Sequence, residues 1–155
     1  MINYNCNEEN KEYYAKFKEE LKKVFVRHKT DIDVIPKILK KLGYKILYNR
    51  CKRLDYQGDI YLLYKKDNKY YFFESTYGSC TVCDVWYYCR DSVKSFMETF
   101  KDEDRSTVCC DTLNDLSKFI KKHCFFWDFV KEDLEEVIKM ERTNDTRKIK
   151  NNTKV

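Results

Sequence analysis

The stretch from Gly58 to Thr76 constrains the fold most. Two runs rich in Tyr, Phe, Leu and Ile, Asp59–Lys65 and Lys69–Thr76, flank the polar break Lys66-Asp67-Asn68. Such residues suit a pleated surface, and two runs joined by a short polar turn predict an antiparallel hairpin. A third strand is expected over Tyr44–Arg50. Tyr and Phe occupy both faces of these strands, so the sheet is either covered on both sides or shows aromatic rings to a partner.

Helical periodicity surrounds the hairpin. Tyr14, Phe17, Leu21, Val24 and Phe25 recur at spacings that predict an amphipathic helix over residues 8–28. Asp33 is placed to cap a second helix with Pro36 in its first turn, and Gly43 to end it. Asp84 is placed to cap a helix over Val85–Lys101, with Trp86, Cys89, Val93, Phe96, Met97 and Phe100 inward. A short strand is expected within Ser106–Cys110. A helix capped by Asp111 then buries Leu113, Leu116, Ile120 and Cys124. A last helix over Trp127–Arg142 buries Val130, Leu134, Val137 and Ile138. The expected order is α-α-β-β-β-α-β-α-α, an α+β domain with a small, mainly antiparallel sheet of three or four strands packed against helices.

Residues 1–142 read as one domain, and residues 143–155 as a basic, disordered tail. With 155 residues, 43% apolar and 37% charged, the chain is globular in composition. Three Gly and one Pro exclude a long Gly-rich phosphate loop. The abundance of Lys, Asn, Tyr and Ile suits an AT-rich coding genome, such as that of a large DNA virus, a phage or a parasite. The N-terminus has no basic and apolar leader, and no apolar run is long enough to cross a membrane. The expected setting is therefore the cytoplasm, the host cytoplasm or a virion, not the secreted space. There the eight cysteines are expected to be mostly reduced. The net charge of +5 is modest. In the tail Arg147, Lys148, Lys150 and Lys154 outnumber the one acid, Asp145. Contact with nucleic acid would run through Arg147, Lys148 and Lys150.

The loop Tyr77-Gly-Ser-Cys-Thr-Val-Cys-Asp84 is the most distinctive motif. Its Cys80 and Cys83 have the spacing of a zinc ligand pair, but no second pair at matching spacing completes a site. The pair also has the spacing of a redox site at a helix start, yet the only proline, Pro36, lies upstream. The third reading is structural. Gly78 makes the turn, Ser79 or Asp84 caps the following helix, and the cysteines pack beneath it, so that Cys→Ser changes mainly lower stability. Tyr77, Gly78, Ser79, Asp84 and Trp86 are the candidate binding residues of this loop. It resembles a YGSCxxCD signature of uncharacterised phage, viral and bacterial proteins. In those chains the loop likewise follows a hairpin opened by a YQG-like turn, here Tyr56-Gln57-Gly58. The resemblance covers Tyr56–Trp86 and implies no particular activity.

The layout from Leu42 to Thr76 also resembles the core of the restriction-endonuclease-like superfamily. That resemblance implies a divalent metal held by acids on adjacent strands, with a lysine assisting the attacking water. Glu74 matches the glutamate of the ExK motif. Thr76 stands where the lysine belongs, and Asp59 lies two residues before Tyr61, the position aligned with the metal-binding acid. The implied protein is a decayed or binding-only relative.

The aromatic surplus includes Tyr70, Tyr71, Phe72, Phe73, Tyr87, Tyr88, Phe125, Phe126 and Trp127. It fits a large core, an interface rich in tyrosine, or base stacking. Without a complete catalytic constellation, the expected function is a non-enzymatic interaction module that binds a protein partner or its own copy.

Overall fold

A computed structural model describes residues 2–4, 6–7, 10–123 and 127–153. Cys124, Phe125, Phe126 and Lys154 lie outside the described residues, as do the side chains of Trp127 and Val130. The elements run β1 (Ile2–Tyr4), α1 (Lys11–Val24), α2 (Val34–Lys41), β2 (Lys45–Arg50), β3 (Gly58–Lys66), β4 (Lys69–Tyr77), a single 3-10 turn (Tyr87–Arg90), α3 (Val93–Asp104), β5 (Val108–Cys110), α4 (Leu113–His123) and α5 (Trp127–Asn152). The fold is α+β, and the five strands form one sheet in the order β1-β5-β4-β3-β2. Every neighbouring pair is antiparallel.

The β3–β4 hairpin turns on Asp67 and Asn68, with φ of 50° and 62°. Two consecutive left-handed residues match the right-handed twist of the strands, and Asp and Asn tolerate that conformation better than most side chains. Helices cover both faces of the sheet. Ile60, Leu62, Tyr64 and Phe73 pack with Phe17, Leu21, Ile35, Ile38, Phe96 and Phe100 from α1, α2 and α3. Tyr61, Leu63, Tyr70 and Phe72 pack with Leu116, Ile120, Leu134 and Ile138 from α4 and α5. The five residues Ile60–Tyr64 are all buried, which explains the imperfect alternation of β3.

Four expectations change. The sheet has five strands, because Ile2–Tyr4 pairs with β5, Ile2 opposite Cys110. A three-residue strand is too short to show a period. The helix expected from Val85 begins at Val93. Ser92 is its cap, extended at φ −159° and accepting the Ser95 N–H through its side chain. Trp86 and Cys89 are buried but belong to the turn before it, so they mimic a helical stripe. Thr112, not Asp111, accepts the Asp115 N–H at the start of α4.

Residues 143–152, expected to be disordered, continue α5. The inward stripe of α5 passes from apolar Leu134 and Ile138 to acidic Glu141 and Asp145 at the same helical spacing. Glu141 is buried against Lys65 and lies 3.5 Å from Lys45. Asp145 accepts the Tyr70 hydroxyl proton at 2.7 Å and lies 3.7 Å from Lys65. The helix therefore stays docked beyond the last apolar residue of its stripe.

Candidate functional site: a braced loop end

The strand register brings the β2–β3 loop and the YGSCxxCD loop to one end of the sheet, where Gly58 faces Tyr77. Tyr77 ties them together. Its hydroxyl accepts the backbone N–H of Leu54 at 2.9 Å and of Asp55 at 3.2 Å. The Arg53 guanidinium lies 5.2 Å from its ring centroid. A Cβ at Gly58 would come within 2.9 Å of the Tyr77 hydroxyl, so glycine permits the contact. A Cβ at Gly78 would lie 2.5 Å from the Cys83 Cβ, so only glycine lets this loop fold back on itself.

Two arginines and two aspartates lock four chain segments. Asp31, between α1 and α2, accepts from Arg53 Nε at 2.7 Å and from Arg90 of the 3-10 turn. Arg53 also donates to Asp84. Asp84 accepts the Trp86 N–H at 2.9 Å, closing a tight turn rather than capping a helix. Burial opposes ionisation of Asp31, but the bonds from Arg53, the Ile32 N–H and Arg90 outweigh it. They hold the carboxyl below its ordinary range. The Cys51 thiol donates to Ile32 O at 3.0 Å and so joins the β2–β3 loop to the start of α2.

Among the candidate binding residues, Tyr77, Asp84 and Trp86 are buried and Ser79 is exposed. The buried three form the brace. The accessible apolar surface belongs to their neighbours: Leu54, Val85, Tyr87 and Tyr88 are exposed, Tyr56 is 84% exposed and Val82 is 94% exposed. The Tyr87 and Tyr88 rings meet edge to face at 4.9 Å. The sequence reading missed Leu54, Val82 and Val85. Their only signal was an apolar side chain inside a loop, Leu54 among Lys52, Arg53 and Asp55, and Val82 and Val85 on either side of Cys83-Asp84.

Cys80 and Cys83 are exposed and bonded to each other as a disulfide, and Cys6 is bonded to Cys109. The expectation of mostly reduced cysteines is therefore corrected: Cys51, Cys89 and Cys110 are the free thiols among the described residues. The Cys6–Cys109 bond joins the segment after β1 to β5, which no local pattern could announce. The two loop cysteines do not pack beneath the turn. A disulfide sulfur is not a thiolate, so in this form the pair offers zinc no ligand. Among the described residues no group of three or more His, Cys, Asp and Glu side chains is placed to hold a metal ion. No helix start follows the pair directly, so the dipole that activates a redox thiol is missing. Burial pushes the Cys89 thiol up to about 12 and raises Cys51 as well, which disfavours the thiolate form of both. His28 lies 3.5 Å from Asp91, and His123 stacks on Phe119.

Asp59 and Glu74 share one face of the sheet. Asp59 lies opposite Thr76 and Glu74 opposite Tyr61, which puts both acids on the sheet face that carries α4 and α5. Both are half-buried. Burial and then the charge of Asp59 raise Glu74; burial raises Asp59, and Arg50 opposes that.

Searches against protein-family models, curated proteins and solved structures find no match for this chain. Among the described residues no helix is long and apolar enough to cross a membrane.

Proposed function

We propose that the chain is a non-enzymatic binding module that engages a protein surface, its own copy or another chain, through the braced loop end. One observation carries this reading. Leu54, Tyr56, Val82, Val85, Tyr87 and Tyr88 are exposed on loops fixed from beneath by the Asp31–Arg53–Asp84–Arg90 network. Exposed aromatic and aliphatic side chains are common interface anchors. Loops already fixed lose little further entropy on docking. A photo-reactive benzophenylalanine in place of Val82 or Tyr56 tests it in the cell that makes the protein. The expected result is one defined adduct at each position, either a dimer or a single partner. Labelling no stronger than at exposed Lys18, on α1, would refute the reading.

The placement of Asp59 and Glu74 on one sheet face, where the charge of Asp59 raises Glu74, supports a second reading, a restriction-endonuclease-like relative that binds nucleic acid. Two carboxylates suffice for Mg²⁺, which keeps several waters. Calorimetry with Mg²⁺ is expected to show binding that Asp59→Asn and Glu74→Gln each abolish. Equal heats from both variants and the parent would remove this reading.

A further inference from the structure

The sequence reading placed Arg147, Lys148 and Lys150 in a disordered tail, but the structure places them on α5, with Lys148 facing another groove beside Lys65 and Asp145. Lys139, Arg142, Arg147 and Lys150 are all exposed on α5 and, with Thr143 and Thr146, line one shallow groove. Their spacings of three, five and three residues keep them within one side of the helix, turned away from the buried Leu134 and Glu141, with Arg142 at the edge nearest Ile138 and α4. Among the described residues, none of the four lies within salt-bridge distance of a carboxylate. Arg142 instead donates to Asn114 Oδ1 on α4 at 2.9 Å. Lys121, further along α4, lies 3.8 Å from Glu135. Lys118 sits one turn from each of Asn114 and Lys121, on the α4 face that borders α5, and it is exposed too. The positive strip from Lys139 to Lys150 is about 16 Å long at the α-helical rise.

We infer that this outer face of α5, with Lys118 beside it, binds the phosphate backbone of nucleic acid without reading sequence. The argument is one of charge and shape. Four cations on a rigid rod, with Lys118 of α4 beside them, meet several successive phosphates, and each contact releases condensed counterions, which strengthens binding to a polyanion. No apolar side chain lines the groove itself, and the exposed Met140 and Ile149 of α5 stand on its opposite flanks instead of forming one apolar patch. A second copy is the competing occupant, because Glu132, Glu135 and Glu136 precede the cations on the same exposed face. Antiparallel pairing would set Glu132 against Lys150 and Glu135 against Arg147. Exposed ion pairs are individually weak, and this face has no apolar centre to add to them, so the polyanion is favoured. The site is independent of the braced loop end, which lies on other elements.

Fluorescence anisotropy of the full chain with a labelled duplex of about 20 base pairs, from about 50 to about 200 mM NaCl, tests the inference. The expected slope of log Kd against log salt is about 4, for four to five contacts. Changing Lys139, Arg142, Arg147 and Lys150 to Gln together is expected to weaken binding at least about tenfold at the lowest salt and to flatten the slope. A control with Lys11, Lys18, Lys29 and Lys40 changed to Gln removes the same charge elsewhere and is expected to bind nearly as the parent does. Equal losses in the two quadruple variants would overturn the inference. So would tighter binding to phosphatidylserine vesicles than to duplex, or a parent dimer that the α5 variant abolishes. The single change Arg147→Glu, checked by circular dichroism, gives the same reading if the quadruple variant melts early.

Discussion

Trp86→Ala is expected to destabilise the protein by about 3–5 kcal/mol, the range for truncating a large aromatic side chain in a packed core. Trp86 is fully buried, and its ring centroid lies 6.0 Å from that of Phe96. The loss has two parts. Removing the indole leaves a cavity between the YGSCxxCD loop and α3 that neighbours cannot fill cheaply. It also removes the Nε1–H that donates to Ser75 Oγ at 3.0 Å, on a hydroxyl that bonds Glu103 as well. Trp86→Phe separates them, since it keeps most of the volume and deletes the donor. Its expected cost is about 1 kcal/mol, the net worth of one hydrogen bond, because the Ser75 hydroxyl still donates to Glu103. Urea unfolding of the three proteins measures both. An alanine variant no less stable than the phenylalanine variant would mean that Trp86 does not anchor the loop to the core.

How far the sequence could be read depended on whether the physics was local. The hairpin was legible because Lys66-Asp67-Asn68 lies between two runs of strand formers, and the left-handed pair Asp67-Asn68 needs nothing from elsewhere. The end of α2 was legible for the same reason. Gly43 adopts φ 91°, and the Tyr44 N–H returns to Leu39 O at 3.0 Å. The length of α5 was not legible. Hydropathy marks a helix face by its apolar residues, whereas the last inward residues of α5 are Glu141 and Asp145, whose partner Lys65 is on a distant strand. The start of α3 was misread because Trp86 and Cys89 are buried for tertiary reasons and fall by accident at helical spacing.

The loop end shows the same division. Its signature residues stand out in the sequence because their conformational demands are unusual: Gly78 must accept Cys83 against its Cα, and Asp84 must close a turn. Unusual demands mark scaffolding as readily as they mark contact residues. Val82 and Tyr56 carry no such demand, and only their exposure distinguishes them. Asp31, Arg53 and Arg90 carry no local signal at all, because they act together only where the fold brings three separate segments side by side.

That network gives the second large effect. Arg53→Met is expected to cost about 3 kcal/mol, near the low end for breaking a buried pair, because Arg53 keeps 23% of its side-chain exposure. The change keeps the length of the side chain and removes its charge. It leaves Asp84, whose side chain is only 6% exposed, without its cation, and leaves Asp31 with Arg90 alone. The pH dependence has a definite sign. The Asp31 carboxyl in the folded protein titrates below its ordinary value of 3.8, so its bonds contribute stability above that pH. That contribution is lost as pH falls through the lower folded value. In the variant burial still opposes the charge while the first of the bonds that offset it is gone, so the carboxyl moves upward and the loss begins at higher pH. The gap between parent and variant should thus be widest near neutrality and close on acidification below about pH 4. Urea melts across that range measure it. The same variant should blur the defined adduct formed at position 82, since Leu54 and Val82 then ride on loosened loops. A small gap that does not change with pH would show that the four segments are held by packing around Tyr77 and Trp86, with the charges as passengers.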